Sequence, residues 1–150
     1  MSNLKEQLYK MCIEYVQKRI GEARQAIDDA QDSSDEETKS SAGDKYETGR
    51  EMMQQVADQA QVQLNEANKL MVALSTITYN TSHLTADIGS IVYTSNGQFY
   101  IAISAGSLSI GQQTFYAVSP ASPIAIKLNG KKAGDEFDLN GRTYRIEMVA

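Results

Sequence analysis

The amino-acid sequence predicts an α+β protein, in which an antiparallel α-helical coiled-coil hairpin precedes a small, mostly antiparallel β domain with one short helix. Apolar residues step by three or four positions through the first half, and strand-like runs with Asn-Gly turns fill the last third. Residues 1–85 carry nine Lys/Arg and fourteen Asp/Glu, whereas 86–150 carry five of each. The net charge of −5 therefore lies on the helical part, which disfavours direct binding of DNA or RNA.

The apolar residues of the predicted hairpin are symmetric about residue 40. Paired from the turn outwards, they are Ile27 with Met53, Ala23 with Val56, Ile20 with Ala60, Val16 with Leu64, Cys12 with Ala67 and Leu8 with Met71. The two residue numbers of each pair sum to 79 or 80, as expected for residues that face each other across an antiparallel seam. The turn is thus predicted at residues 39–41, with helices from about residue 4 into the acidic tract and from about 44 to about 76.

The rest of the chain has the pattern of a β domain. Strands are predicted at 91–94, 98–104, 113–119, 136–139 and 143–149, with hairpin turns at Asn96-Gly97 and Asn140-Gly141. A short helix should begin at Ser122-Pro123 and end before Asn129-Gly130. The predicted organisation is a hairpin over 1–78 with its acidic tip near 35–47, a linker over 79–88, and a C-terminal domain over 89–150.

Several functional classes receive no support from the residues present. The single cysteine, Cys12, lies on the predicted seam and is expected to be a buried apolar residue. The single histidine, His83, has no neighbouring ligands for a transition metal and is expected to be structural or exposed. No signal segment, membrane span, activated nucleophile or phosphate-binding glycine loop is found. We therefore expect a soluble, cytoplasmic protein.

The stretch AVSPASPIAIKLNGKKAGDEF at 117–137 resembles the C-terminal domain of the GreA/GreB transcript cleavage factors. That family has the pattern S-P-[LI]-[AG]-x-x-L-x-G-K-x-x-G-D-E, which Ser122 to Glu136 reproduce. The preceding acidic hairpin also resembles the family's N-terminal architecture. The resemblance implies an FKBP-like fold for the second domain, without prolyl isomerase activity.

The resemblance further implies that bacterial RNA polymerase is the partner. In the Gre family the C-terminal domain docks at the mouth of the secondary channel, and tip carboxylates reach the active site. There they help to hold a Mg²⁺ that is shared with the polymerase, so the factor needs no cofactor of its own. By this resemblance Ser119, Pro120, Ser122 and Pro123 contact the polymerase rim. The alternative for Ser122-Pro123 is that the pair only starts the short helix.

The resemblance also indicates which tip acids act. The family's Gly-Asp-x-x-Glu spacing recurs at Gly43 to Glu47, which implies that Asp44 and Glu47 assist cleavage and bind Mg²⁺. The same spacing also describes a capping pair at a helix start. An ungapped alignment on Tyr46 and Arg50-Glu51 would instead place the family's acids on Lys39 and Ala42, which cannot bind a metal. The substitutes nearest the tip are Asp35, Glu36 and Glu37.

Three functions are compatible with these residues. The first is an elongation factor that stimulates RNA cleavage by the polymerase. The second is a secondary-channel regulator of the same fold without cleavage activity. The third is a coiled-coil adaptor that is unrelated to transcription.

Overall fold

The computed structural model describes the backbone of residues 2–38 and 43–150, and the side chains of residues 4–32 and 49–150. Two long helices are followed by six strands and a short third helix: α1 (Ser2–Thr38), α2 (Gly43–Ser75), β1 (Ile91–Thr94), β2 (Gly97–Ile101), β3 (Gly106–Ile110), β4 (Gln113–Val118), α3 (Pro123–Leu128), β5 (Glu136–Leu139) and β6 (Arg142–Val149). The predicted α+β class, with a helix pair and a mostly antiparallel sheet, is confirmed. The predicted turn at 39–41 lies outside the described residues.

Contacts divide the chain into two compact units. One comprises Met1–Glu14 with Val72–Ala150, and the other comprises Tyr15–Met71. The first unit thus contains the sheet together with the first turns of α1 and the last turn of α2. The predicted domain boundaries at 78 and 88 both fall inside this unit and stay predictions.

The seam of the long helices is buried largely as predicted. Leu8, Cys12 and Val16 are fully buried on α1, and Ala60 and Ala67 are buried on α2. Val56 was wrongly placed on the seam, because 43 % of it is exposed. The neighbouring Ala57 is partly buried instead. Steps of three and four residues both keep a side chain on one helical face, so the spacing alone cannot choose between the two positions.

The sheet has the strand order β3-β4-β2-β1-β6-β5, and all neighbours are antiparallel except β2 and β4. Strand β3 was not predicted: Leu108 and Ile110 alternate with Ser107 and Ser109, but two apolar residues are too few for the pattern to stand out. The last hairpin turns at Asn140-Gly141, where both φ angles are positive (51° and 79°), as a type I′ turn requires.

The first hairpin turns one residue earlier than predicted. Thr94 pairs with Gly97, so the turn residues are Ser95 and Asn96. Asn96 is held there by its side-chain amide, which donates to the Thr143 carbonyl at 2.6 Å, and by its N–H, which donates to Thr94 Oγ1 at 3.1 Å. The contact with Thr143 comes from a strand that is distant in sequence, which local turn preferences do not report.

One face of the sheet packs against α3. Its buried cluster consists of Ala86, Val92, Phe99, Ile101, Ala125, Leu128, Phe137 and Ile146. Alternate residues of the central strands, Ile91, Tyr100 and Phe115, are buried on the opposite face. The first turns of α1 are close to that face, because Tyr9 and Cys12 are near enough to Tyr100 to raise its pKa further after burial.

The segment between α2 and β1 is packed against the rest of its unit. Ala86 is 1 % exposed, and its backbone N–H donates to the Lys131 carbonyl at 2.8 Å. Gly89 donates to the Ile101 carbonyl at 2.7 Å and has a φ of 87°. No helix in the described part of the chain is both long and apolar enough to cross a membrane.

Candidate functional site

The predicted tip acids belong to the C-terminal end of α1 and the N-terminal end of α2. Asp35, Glu36 and Glu37 precede the end of α1 at Thr38, and Asp44 and Glu47 follow the start of α2 at Gly43. Their side chains lie outside the described residues. Carboxylate oxygens are suitable ligands for Mg²⁺, so this donor set fits in type. Among the residues whose placement is described, no group of three or more His, Cys, Asp or Glu is arranged to hold a metal ion.

The predicted polymerase-contact residues form the loop that enters α3. Ser122 is the N-cap of this helix: its hydroxyl accepts from the Ala125 N–H at 3.3 Å and donates to the Ser119 carbonyl at 2.7 Å. Pro123 occupies the first helical turn, where its missing N–H costs no hydrogen bond. The predicted helix start is therefore confirmed, and a contact of Ser122 with polymerase stays a prediction.

The two prolines of this loop are exposed, whereas Ser119 and Ser122 are partly buried. Pro120 lines a groove of about 330 Å³ together with Ile88, Ile101 and Ile126. Of these, Ile126 is 63 % exposed and Ile88 is 41 % exposed. We call this feature the Pro120 groove. It offers an apolar surface next to the predicted docking loop, and its polar lining residues are Asp87 and Asn129.

A cluster around Lys5 was missed by the sequence analysis. Lys5 is only 4 % exposed, and its ammonium donates to the Thr81 carbonyl and contacts His83 Nδ1 at 2.9 Å. One turn further along α1, the Tyr9 hydroxyl donates to the Leu74 carbonyl at 2.9 Å. A lysine near a helix start is usually exposed, so the residues around Lys5 in the sequence do not indicate that it is buried.

The protonation state of His83 follows from this contact. An ammonium group has donors only, so Nδ1 accepts and the imidazole is neutral with its proton on Nε2. Burial first, and then the positive charge of Lys5, lowers the pKa of His83 below its usual 6.5, while the Asp87 carboxylate opposes this. Burial also lowers the pKa of Lys5. His83 therefore has a structural role as a neutral acceptor.

Cys12 is fully buried, as predicted from its place on the seam. Burial raises the pKa of its thiol to about 12. Because the thiolate is the reactive form, this cysteine is chemically inert at neutral pH.

Comparison of the chain with family models, with curated proteins and with solved structures gives no match.

Proposed function

We propose that this protein is a bacterial RNA polymerase-binding factor that inserts its acidic helical tip into the secondary channel and stimulates cleavage of backtracked RNA. The observation that supports this most directly is that five acids lie in the last four residues of α1 and the first five residues of α2. The helices have 37 and 33 residues, which corresponds to roughly 55 and 50 Å of helix at ~1.5 Å per residue. Ordinary globular helices have about a dozen residues.

In this proposal the polymerase performs the chemistry and the factor is not an enzyme. Two divalent ions stabilise the attacking and leaving oxygens in a hydrolytic displacement at phosphorus. One or two carboxylates from the tip, Asp44 and Glu47 first and Asp35, Glu36 or Glu37 as substitutes, would complete the binding of the second Mg²⁺. No Mg²⁺ site is needed in the isolated protein.

We also propose that the β domain is FKBP-like and docks on the polymerase rim. The support is the loop from Ser119 to Pro123, whose two prolines are exposed beside the apolar Pro120 groove. Ser122 caps α3 and so fixes the direction in which this loop leaves β4. Neighbouring exposed apolar side chains are typical of protein docking surfaces.

The test is an RNA cleavage assay with backtracked elongation complexes and Mg²⁺. Wild-type protein should shorten the RNA from its 3′ end, and Asp44→Ala with Glu47→Ala should abolish the shortening. The matched control is Asp28→Ala with Asp32→Ala, because both are exposed acids further back along α1. This control removes the same charge and should keep activity within about twofold, an energy change of about 0.4 kcal/mol.

A binding measurement with core polymerase separates the remaining functions. Pro120→Ala should weaken binding, whereas Ser109→Ala, at an exposed position on β3, should not. Binding without cleavage would identify a channel regulator that lacks cleavage activity. Absence of binding would reject the proposal and leave the coiled-coil adaptor.

A further inference from the structure

The ammonium of Lys5 is buried without an opposite charge beside it. Lys10 with Glu6 and Lys69 with Glu66 are ion pairs with N and O within 4.0 Å, and no such pair among the described residues includes Lys5. Both partners of Lys5, the Thr81 carbonyl and His83 Nδ1, are neutral acceptors. Since an ammonium has three donors, one remains available. A buried charge is costly unless it is paired, so this site is electrostatically incomplete.

Lys5 and its two partner residues line a pocket of about 260 Å³. We call it the Lys5 pocket, and it lies within the unit that contains the sheet. Its wall is mostly apolar and includes Tyr79, Leu84, Met148 and Val149. Leu84 is 89 % exposed, although it is a large aliphatic residue on a segment that is otherwise polar.

We propose that the Lys5 pocket binds a small monocarboxylate with a short aliphatic body. The carboxylate would accept the remaining N–H of Lys5 and supply the missing charge, as a charge-assisted hydrogen bond. The aliphatic body would cover Leu84 and Met148. The volume is below the roughly 300–1,000 Å³ of sites for drug-sized ligands, so it favours a small molecule.

The charges around the pocket favour a monoanion over a dianion. Among the described residues that line the pocket, Lys5 is the one cation, and His83 is neutral as the acceptor of Lys5. Asp87 is near enough to act on His83 and would repel additional negative charge. A phosphate dianion would therefore keep uncompensated charge against an apolar wall, which is unfavourable. This inference is independent of the proposed role in transcription.

The experiment is a titration of the full chain with hexanoate at pH 7.5, followed by ¹H–¹⁵N NMR spectra. We expect saturable shifts of the backbone amides at Thr81 to Leu84 and at Val149. Hexanamide has nearly the same shape without the charge and should bind at least about tenfold more weakly, or 1.4 kcal/mol. Acetate and inorganic phosphate test the charge without the aliphatic body, and both should also bind more weakly than hexanoate.

Two variants locate the site. Lys5→Met keeps the length of the side chain and should weaken hexanoate binding at least about tenfold. Leu84→Ala changes a residue that is 89 % exposed, and it should weaken binding about threefold or more through lost apolar contact. The matched controls are Lys10→Met, on the exposed side of α1, and Ile126→Ala, in the Pro120 groove, and neither should change binding.

Four outcomes would overturn the inference. These are equal binding of hexanoate and hexanamide, equal or tighter binding of phosphate, no saturable shift up to about 20 mM hexanoate, and unchanged binding by Leu84→Ala. If Lys5→Met does not fold, the ligand series with wild-type protein and the Leu84→Ala variant still decide the matter.

Discussion

Gly89 offers a direct test of how the segment after α2 packs against the sheet. The residue is buried, and its φ of 87° is in the region that favours glycine. A Cβ at this position would lie 3.2 Å from the Thr78 carbonyl oxygen and 3.3 Å from Ile77 Cγ2. Gly89→Ala therefore combines backbone strain with crowding by two residues that follow α2.

Gly134 separates these two effects. Its φ of 96° is close to that of Gly89, but a Cβ there would meet nothing within 4 Å. An unfavourable backbone conformation costs about 1–3 kcal/mol, partly offset because alanine restricts the unfolded chain by about 0.4–1 kcal/mol. Both variants share these contributions. Overpacking at Gly89 should add about 1–3 kcal/mol to the loss of unfolding free energy.

The assay is urea unfolding followed by tyrosine fluorescence. Six of the eight tyrosines lie in the unit formed by Met1–Glu14 and Val72–Ala150, so the signal reports mainly on that unit. We expect Gly89→Ala to lose at least about 1 kcal/mol more than Gly134→Ala. Equal losses, within about 0.3 kcal/mol, would refute the close packing of Ile77 and Thr78 against Gly89.

Three further predictions concern single side chains. Ser122→Ala should lower the unfolding free energy by about 1 kcal/mol through loss of the α3 cap, and Ser122→Thr should restore most of it; equal stability of all three proteins would contradict the capping role. Because the pKa of His83 is lowered in the folded chain, the unfolded chain binds a proton more readily as the pH falls below 6.5. The free energy of unfolding should therefore decrease as the pH falls below 6.5. Urea unfolding of His83→Gln should lack the part of this decrease that His83 causes. An identical pH profile in the variant would contradict the lowered pKa of His83. Tyr100→Phe should leave stability unchanged or raise it by up to about 1 kcal/mol, because the buried hydroxyl has no hydrogen-bond partner in the described structure; a loss above about 1 kcal/mol would reveal one.

The candidate docking loop was accessible to sequence analysis because its signals are local. A serine followed by proline at a helix start, and Asn-Gly after the helix, depend on residues within one turn of each other. The structure confirms Ser122 as the cap and Pro123 in the first turn. Groove formation was not accessible, since Pro120, Ile88 and Ile101 come from three different segments. The identity of the metal-binding tip acids stays a prediction.

The Lys5 cluster shows why other features escaped prediction. Lys5 and His83 are 78 residues apart, and the sequence around each residue is compatible with an exposed side chain. Only the fold places the ammonium next to a neutral imidazole and the Thr81 carbonyl, where its burial changes both pKa values. The first hairpin also depends on a distant contact. Its turn residues are Ser95 and Asn96, one position before the predicted pair, and the Asn96 side chain donates to the Thr143 carbonyl.

By itself, the sequence determined the long helix pair, the acids near its connection, five of the six strands and the capped third helix. These features arise from residue periodicity and from turn and cap chemistry, which act over a few neighbouring residues. Only the tertiary structure decided that Val56 leaves the seam, that β3 extends the sheet edge and that β2 and β4 run parallel. It also decided that Lys5 is buried. The parallel pairing of β2 with β4 and the burial of Lys5 depend on contacts between segments that are distant in sequence, whose energies no local pattern encodes. Strand β3 pairs with the adjacent β4 and was missed because its apolar pattern is short.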